Sequence, residues 1–168
     1  MEIRITLNGT VHRVAVEPME RLLDLVRRLG ATDVKEGCGE GECGACTVLL
    51  NRRPVPSCLV LAPQADGAEI TTVAGLSEDG LDPVQKALLD AGAVQCGFCT
   101  PGIVLTARAL LDENPTPTRD EIRAALAGNL CRCTGYQRIV DAVEAARDAV
   151  PGESGPGDPS HRDEGGAS

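Results

Sequence analysis

Residues 35–58 read KEGCGEGECGACTVLLNRRPVPSC, and the run Gly37–Gly44 holds four glycines in eight residues, too many for a helix or a strand. The run predicts a loop wrapped closely round something. It carries Cys38, Cys43 and Cys46 at C-x4-C-x2-C spacing, and Cys58 follows after eleven intervening residues. That is the plant-type arrangement of thiolates for a [2Fe–2S] cluster. Three sulfurs in one tight loop grip one side of such a cluster, and a fourth from a neighbouring segment completes the iron coordination. Gly37, Gly39, Gly41 and Gly44 let backbone N–H groups approach the sulfides and tune the potential.

On the N-terminal side, Ile3, Ile5 and Leu7 alternate on one face of a strand, Asn8-Gly9 makes a tight turn, and Val14 and Val16 share a face of the return strand. Leu22, Leu25, Val26 and Leu29 then fall at helical spacing within a helix predicted over Glu20–Leu29, stopped by Gly30. Beyond the loop, Cys46–Leu50 reads as a strand, with a return through Val55 and a further strand near Glu69–Thr72. The expectation is a small mixed sheet crossed by one helix, an α+β domain over residues 1–76.

From residue 77 the character changes. Asp82-Pro83 is an N-cap followed by proline at the first helical position, and Thr100-Pro101 repeats the pair. Helices are expected near 83–91 and 101–112. Thr118 with Glu121 is a capping box opening a third helix to about Ala127, and Ile139, Val143, Ala146 and Val150 share a face of a fourth over about 137–150. Residues 77–150 therefore read as an all-α, four-helix domain. Here Cys96-Gly-Phe-Cys99 is followed, after thirty-one residues, by Cys131-Arg-Cys133, each pair beside a predicted helix end. Two helical hairpins could pinch a second cluster between them, with helix N-termini favouring its negative charge. Residues 151–168 hold five Gly and three Pro with almost nothing apolar, and read as a disordered tail. His161 there and His12 on the hairpin read as a solvated and a plain sheet histidine.

Composition narrows the functions. Aromatic residues make up 1%, so the core must be aliphatic, and the net charge of -9 disfavours nucleic acid and anionic membrane surfaces. No apolar run is long enough to span a membrane, and MEIRITLNGT lacks a signal-peptide core, so a cytoplasmic protein is expected. In that reducing compartment eight cysteines point to metal rather than disulfides. Taken alone, C-x2-C with C-x-C suits zinc as well as iron; the first set tilts the reading toward iron. A thioredoxin-like role for Cys96-x-x-Cys99 lacks the surrounding βαβ pattern. Neither G-x-G-x-x-G nor G-x-x-x-x-G-K occurs, and no nucleophile–base constellation appears.

Together, KEGCGEGECGACTVLLNRRPVPSC, QCGFCTPG and NLCRCTGY resemble the iron–sulfur small subunit of the molybdenum hydroxylases, the xanthine oxidase superfamily that includes carbon monoxide dehydrogenase and aldehyde oxidoreductases. The resemblance spans about residues 1–150 and all eight cysteines in order. It implies an N-terminal plant-type ferredoxin-like (β-grasp) domain, a helical [2Fe–2S] domain, and partners: a large molybdopterin-binding subunit and a medium FAD-binding subunit, in an (αβγ)2 hetero-oligomer. Electrons would run from molybdenum through the Cys96/Cys99/Cys131/Cys133 cluster, then the Cys38/Cys43/Cys46/Cys58 cluster, to FAD. Gln95 and Cys133 match the family positions that meet the pterin. The turn Asn51-Arg52-Arg53-Pro54 departs from the family's Asp-Gly turn, with an effect expected only on a surface loop. The rival readings are a free-standing two-cluster carrier, an iron or redox sensor, and a zinc-stapled interaction module.

Overall fold

The computed structural model of the chain describes residues 1–77 and 80–147. β1 (Glu2–Leu7) and β2 (Thr10–Ala15) pair antiparallel, with Ile3 opposite Val14 and Ile5 opposite His12. Asn8 and Gly9 at the turn have φ of 47° and 78°, the double left-handed conformation whose twist suits a two-residue hairpin. Asn8 also bonds beyond the turn: its Oδ1 accepts from Thr72 N–H at 2.8 Å, and its Nδ2 donates to Thr72 Oγ1 at 3.0 Å.

α1 spans Leu22–Arg28 and buries Leu22, Leu23, Leu25 and Val26 against the sheet. It starts two residues later than the periodicity predicts. Arg21 is held extended in an antiparallel bridge with Leu61, and Glu20 O accepts from Ala62 N–H, so tertiary pairing takes these residues from the helix. β3 (Thr47–Leu50), β4 (Arg53–Pro56) and β5 (Glu69–Thr71) complete a sheet of order β2-β1-β5-β3-β4, in which β1 and β5 run parallel and the other pairs antiparallel. The Asn51-Arg52 turn does more than cap a loop: Asn51 Oδ1 accepts from Glu69 N–H at 2.9 Å, stitching the turn to β5.

The second half is α-helical, with α2 (Pro83–Asp90), α3 (Thr100–Glu113), α4 (Arg119–Leu126) and α5 (Gln137–Arg147). Asp82 caps α2 by accepting from Val84 N–H, and Thr118 caps α4 by accepting from Glu121 N–H, both as expected. Thr100 does not cap α3. It is the helix's first residue; Cys99 takes the N-cap position and makes no side-chain cap bond. The expected end of the fourth helix at Val150, the 151–168 tail and His161 lie outside the described residues.

The two halves have separate aliphatic cores, one around Ile3, Ile5, Leu22, Leu25 and Ile70, the other around Leu88, Ile103, Leu111, Ile122 and Ile139. They meet where α3 lies against β3. A Cβ on Gly102 would sit 2.2 Å from Gly44 O, so only glycine lets α3 approach the first cysteine loop this closely.

Candidate metal centres

The loop between α1 and β3 carries Cys38, Cys43 and Cys46, and Cys58 stands just past β4. Arg21 fastens this loop from outside: its guanidinium binds Asp24 at 2.7 Å and Glu36 at 2.9 Å. These carboxylates hold the Arg21 pKa above its usual value. Within the loop, Glu40 N–H donates to Cys38 Sγ at 3.3 Å. A Cβ on Gly37 would stand 2.8 Å from Cys43 Sγ and 3.7 Å from the ring of Phe98, so backbone and sulfur are pressed together at that point.

The second set sits where α3 begins and where α4 hands over to α5. Cys133 Sγ lies 3.6 Å from Cys96 Sγ. Tyr136 OH accepts from Cys131 N–H at 2.6 Å and donates to Asn129 O at 3.1 Å, pinning the C-x-C segment to its own preceding turn. Thr134 Oγ1 lies 3.0 Å from Cys131 Sγ. Gln95 Nε2 donates to Cys133 O at 3.0 Å, clasping one cysteine segment to the other.

One contact, Cys133 Sγ with Cys96 Sγ, joins the two distant cysteine segments of the second set directly. In the first set the Glu40 N–H meets Cys38 Sγ, and in the second the Thr134 hydroxyl meets Cys131 Sγ. Four cysteines per set, with hydrogen-bond donors beside their sulfurs, fit a [2Fe–2S] group in both sets.

Each set also has an outer and an inner side. Cys38, Cys96 and Cys133 are exposed, whereas Cys46 and Cys58 are buried and Cys99 and Cys131 are half-buried. Without metal, N–H groups of Glu40 and Cys43 hold the Cys38 thiol down to about 7. The Phe98 N–H and then the Cys133 thiol lower Cys96, and the same Cys96 contact raises Cys133, so Cys96 is the pair's first thiolate. Burial pushes Cys58 up to about 11 and Cys99 up to about 12, assisted by the Cys46 and Cys131 sulfurs respectively. Burial also opposes ionisation of Cys131, but bonds from the Thr134 hydroxyl and the Cys133 and Thr134 N–H groups bring it down on balance. Cys58 and Cys99 therefore keep their protons at neutral pH until a metal displaces them.

Arg21, Asn129, Thr134 and Tyr136 join the site only through the fold. Three of them lie within the quoted NLCRCTGY, where a hydroxyl and a phenol directly after C-x-C were the available signal.

A family model described as a 2Fe-2S iron-sulfur cluster binding domain matches residues 5–76, and one described as a [2Fe-2S] binding domain matches residues 72–144. The nicotinate dehydrogenase small FeS subunit of Eubacterium barkeri is 57% identical over 146 residues, covering 86% of this chain and 93% of its own length. The chain belongs to the iron–sulfur small subunits of the molybdenum hydroxylases. Quinoline 2-oxidoreductase from Pseudomonas putida 86 contains a chain that superimposes on this small subunit with a TM-score of 0.85 at 48% identity, covering 89% of this chain and 94% of that one. Aldehyde oxidoreductase from Desulfovibrio desulfuricans superimposes with a TM-score of 0.84 at 44% identity, but the match fills only 17% of that chain. The same unit is thus a separate subunit in one enzyme and a segment of a long polypeptide in another. The small subunit carries two [2Fe–2S]-binding domains and is an electron-transfer part of an oxidoreductase. Among the described residues no helix is long and apolar enough to cross a membrane.

Proposed function

We propose that the chain is the electron-transfer subunit of a cytoplasmic molybdenum hydroxylase, seated between a large molybdopterin-bearing subunit and a medium FAD-bearing subunit in an (αβγ)2 assembly. Cys38, Cys43, Cys46 and Cys58 hold one [2Fe–2S] cluster; Cys96, Cys99, Cys131 and Cys133 hold the other. When bound, each cluster supplies one-electron oxidation and reduction between the partners' cofactors.

The observation that carries this reading is that the fold brings two distant cysteine segments together, with Cys133 Sγ 3.6 Å from Cys96 Sγ and Gln95 Nε2 bonded to Cys133 O. The chain's own residues then do three things. Cys96 and Cys133 present two sulfurs at the surface, where Gln95 fixes the Cys133 carbonyl and itself stays exposed toward the pterin. Cys38 presents a sulfur at the surface of the other domain, toward FAD. The packing of α3 on β3 keeps the two sets at one separation. The relatives named as a small FeS subunit and an iron-sulfur-binding subunit support a complex over a free-standing carrier or sensor.

The test is low-temperature EPR with iron and sulfide analysis on anaerobic, dithionite-reduced protein co-expressed with its genomic neighbours. Two distinct [2Fe–2S] signals and about four irons per chain are expected. One signal, or zinc in place of iron, overturns the assignment for at least one set.

A further inference from the structure

We propose that Thr134 sets the reduction potential of the helical-domain cluster upward by donating its hydroxyl proton to Cys131 Sγ. This rests on the reading of Cys131 as a cluster ligand.

Thr134 Oγ1 and Cys131 Sγ lie 3.0 Å apart, and with a protonated Cys131 either the hydroxyl or the thiol could donate. Two observations fix the direction in the loaded protein. A ligating thiolate has no proton, so the hydroxyl must be the donor. Tyr136 N–H donates to Thr134 Oγ1 at 3.3 Å, which occupies a lone pair and leaves the hydroxyl proton for sulfur. Gly135, with φ of 67°, and Tyr136, with φ of 69°, curl the chain so that residue 134 faces back onto Cys131. In the first set, by contrast, a backbone N–H from Glu40 meets the exposed Cys38 sulfur at 3.3 Å. A backbone donor cannot be removed by substitution; the Thr134 donor can.

Reduction adds one negative charge to the cluster and its ligands. A charge-assisted hydrogen bond to a ligand sulfur strengthens with that charge, so it favours the reduced state and raises the potential. The half-buried setting of both residues limits the screening that water would provide.

The test is an EPR-monitored redox titration of the cluster-loaded full chain and its T134V and T134S variants. Valine keeps the shape and removes the donor; serine keeps the donor. For T134V the helical-domain cluster is expected to be about tenfold harder to reduce, about 59 mV lower for a one-electron couple, with T134S near the parent value and the ferredoxin-domain cluster unmoved. An unchanged T134V potential overturns the inference, as does an equal fall in T134V and T134S, which would make the effect one of packing. If T134V fails to retain the second cluster, pulsed EPR of the parent protein exchanged into D2O decides. A deuteron coupling at the helical-domain signal that appears within seconds of exchange, as a hydroxyl's does before hydrogen-bonded N–H groups exchange, and persists in T134S supports the donor; absence of that fast-exchanging coupling from the parent overturns it. A parent protein without the second signal overturns the ligand reading and this inference together, whereas an unmoved potential overturns only the inference.

Discussion

The backbone N–H of Leu130 donates to the carbonyl oxygen of Cys43 at 2.9 Å, so a residue peptide-bonded to one cysteine set is hydrogen-bonded to a member of the other. Beside it, Asn129 Nδ2 donates to Gly44 O at 3.2 Å and reaches Thr47 Oγ1 at 3.4 Å, with Asn129 itself buried. The separation between the two sets therefore depends on a tight seam that uses glycine on both sides.

Gly102→Ala tests that seam. The new methyl would meet Gly44 O at 2.2 Å, and a backbone carbonyl cannot swing aside as a side-chain tip can. Overpacking of this kind costs about 1–3 kcal/mol. We expect a loss of that size in urea denaturation and faster amide exchange at Leu130 and Asn129, with the hairpin of β1 and β2 unaffected. Parent-like stability would mean that the halves already move apart readily.

Arg21→Met should act on one cluster only. The substitution keeps much of the aliphatic stem but removes the ion pairs to Asp24 and Glu36 that fasten the first cysteine loop to the base of α1. Because the arginine is about a third exposed, solvent screening keeps the stability loss to roughly 1 kcal/mol or less. The expected readout is chelator-driven iron release, faster by several-fold for the ferredoxin-domain signal and unchanged for the helical-domain signal. Equal acceleration of both would show a global effect.

In the metal-free chain the cysteines should differ in reactivity with pH. Cys38 is exposed, and its thiol is drawn down to about 7 by the N–H groups of Glu40 and Cys43. A lowered thiol pKa means that the thiolate is populated above that value, so alkylation of Cys38 should rise through about pH 7 and level off above it. Cys58 and Cys99, pushed up to about 11 and about 12 by burial, should stay slow throughout the neutral range. Mass spectrometry of iodoacetamide-treated, metal-free protein at pH 6–9 gives the profile. Rapid labelling of Cys99 at pH 7 would contradict the inner placement of that sulfur.

Much of this arrangement is legible in the sequence alone. Alternation placed β1, Asn8-Gly9 placed the turn, and the capping residues Asp82 and Thr118 placed two helix starts, because each signal depends on neighbours in sequence. The errors came where a distant segment intervened. Arg21 is helical by pattern but extended in fact, since Leu61 pairs with it. Thr100 has a good capping side chain, yet it is already the first helical residue and Cys99 takes the N-cap position. The cysteine spacing marks the two sets but not the contact of Cys96 with Cys133, nor the contacts of Thr134 and Tyr136, which require the chain to fold back on itself after Cys133.

Tyr136→Phe should weaken the helical-domain cluster without unfolding the domain. The phenol accepts from Cys131 N–H at 2.6 Å and donates to Asn129 O at 3.1 Å, so one hydroxyl satisfies two backbone groups flanking the C-x-C segment. Phenylalanine keeps the ring among the apolar side chains of this half, so packing changes little. The donor and acceptor lose their partner in a half-buried place, a loss of about 1–2 kcal/mol, or a factor of about 5–30 in an equilibrium. If that energy holds the segment ready for metal, it should be lost from cluster retention: the helical-domain EPR signal should decay about 5- to 30-fold faster under chelator, while the ferredoxin-domain signal decays at the parent rate. Far-ultraviolet circular dichroism should be unchanged. Equal retention in the variant would mean that Gln95, bound to Cys133 O, suffices to hold the segment alone.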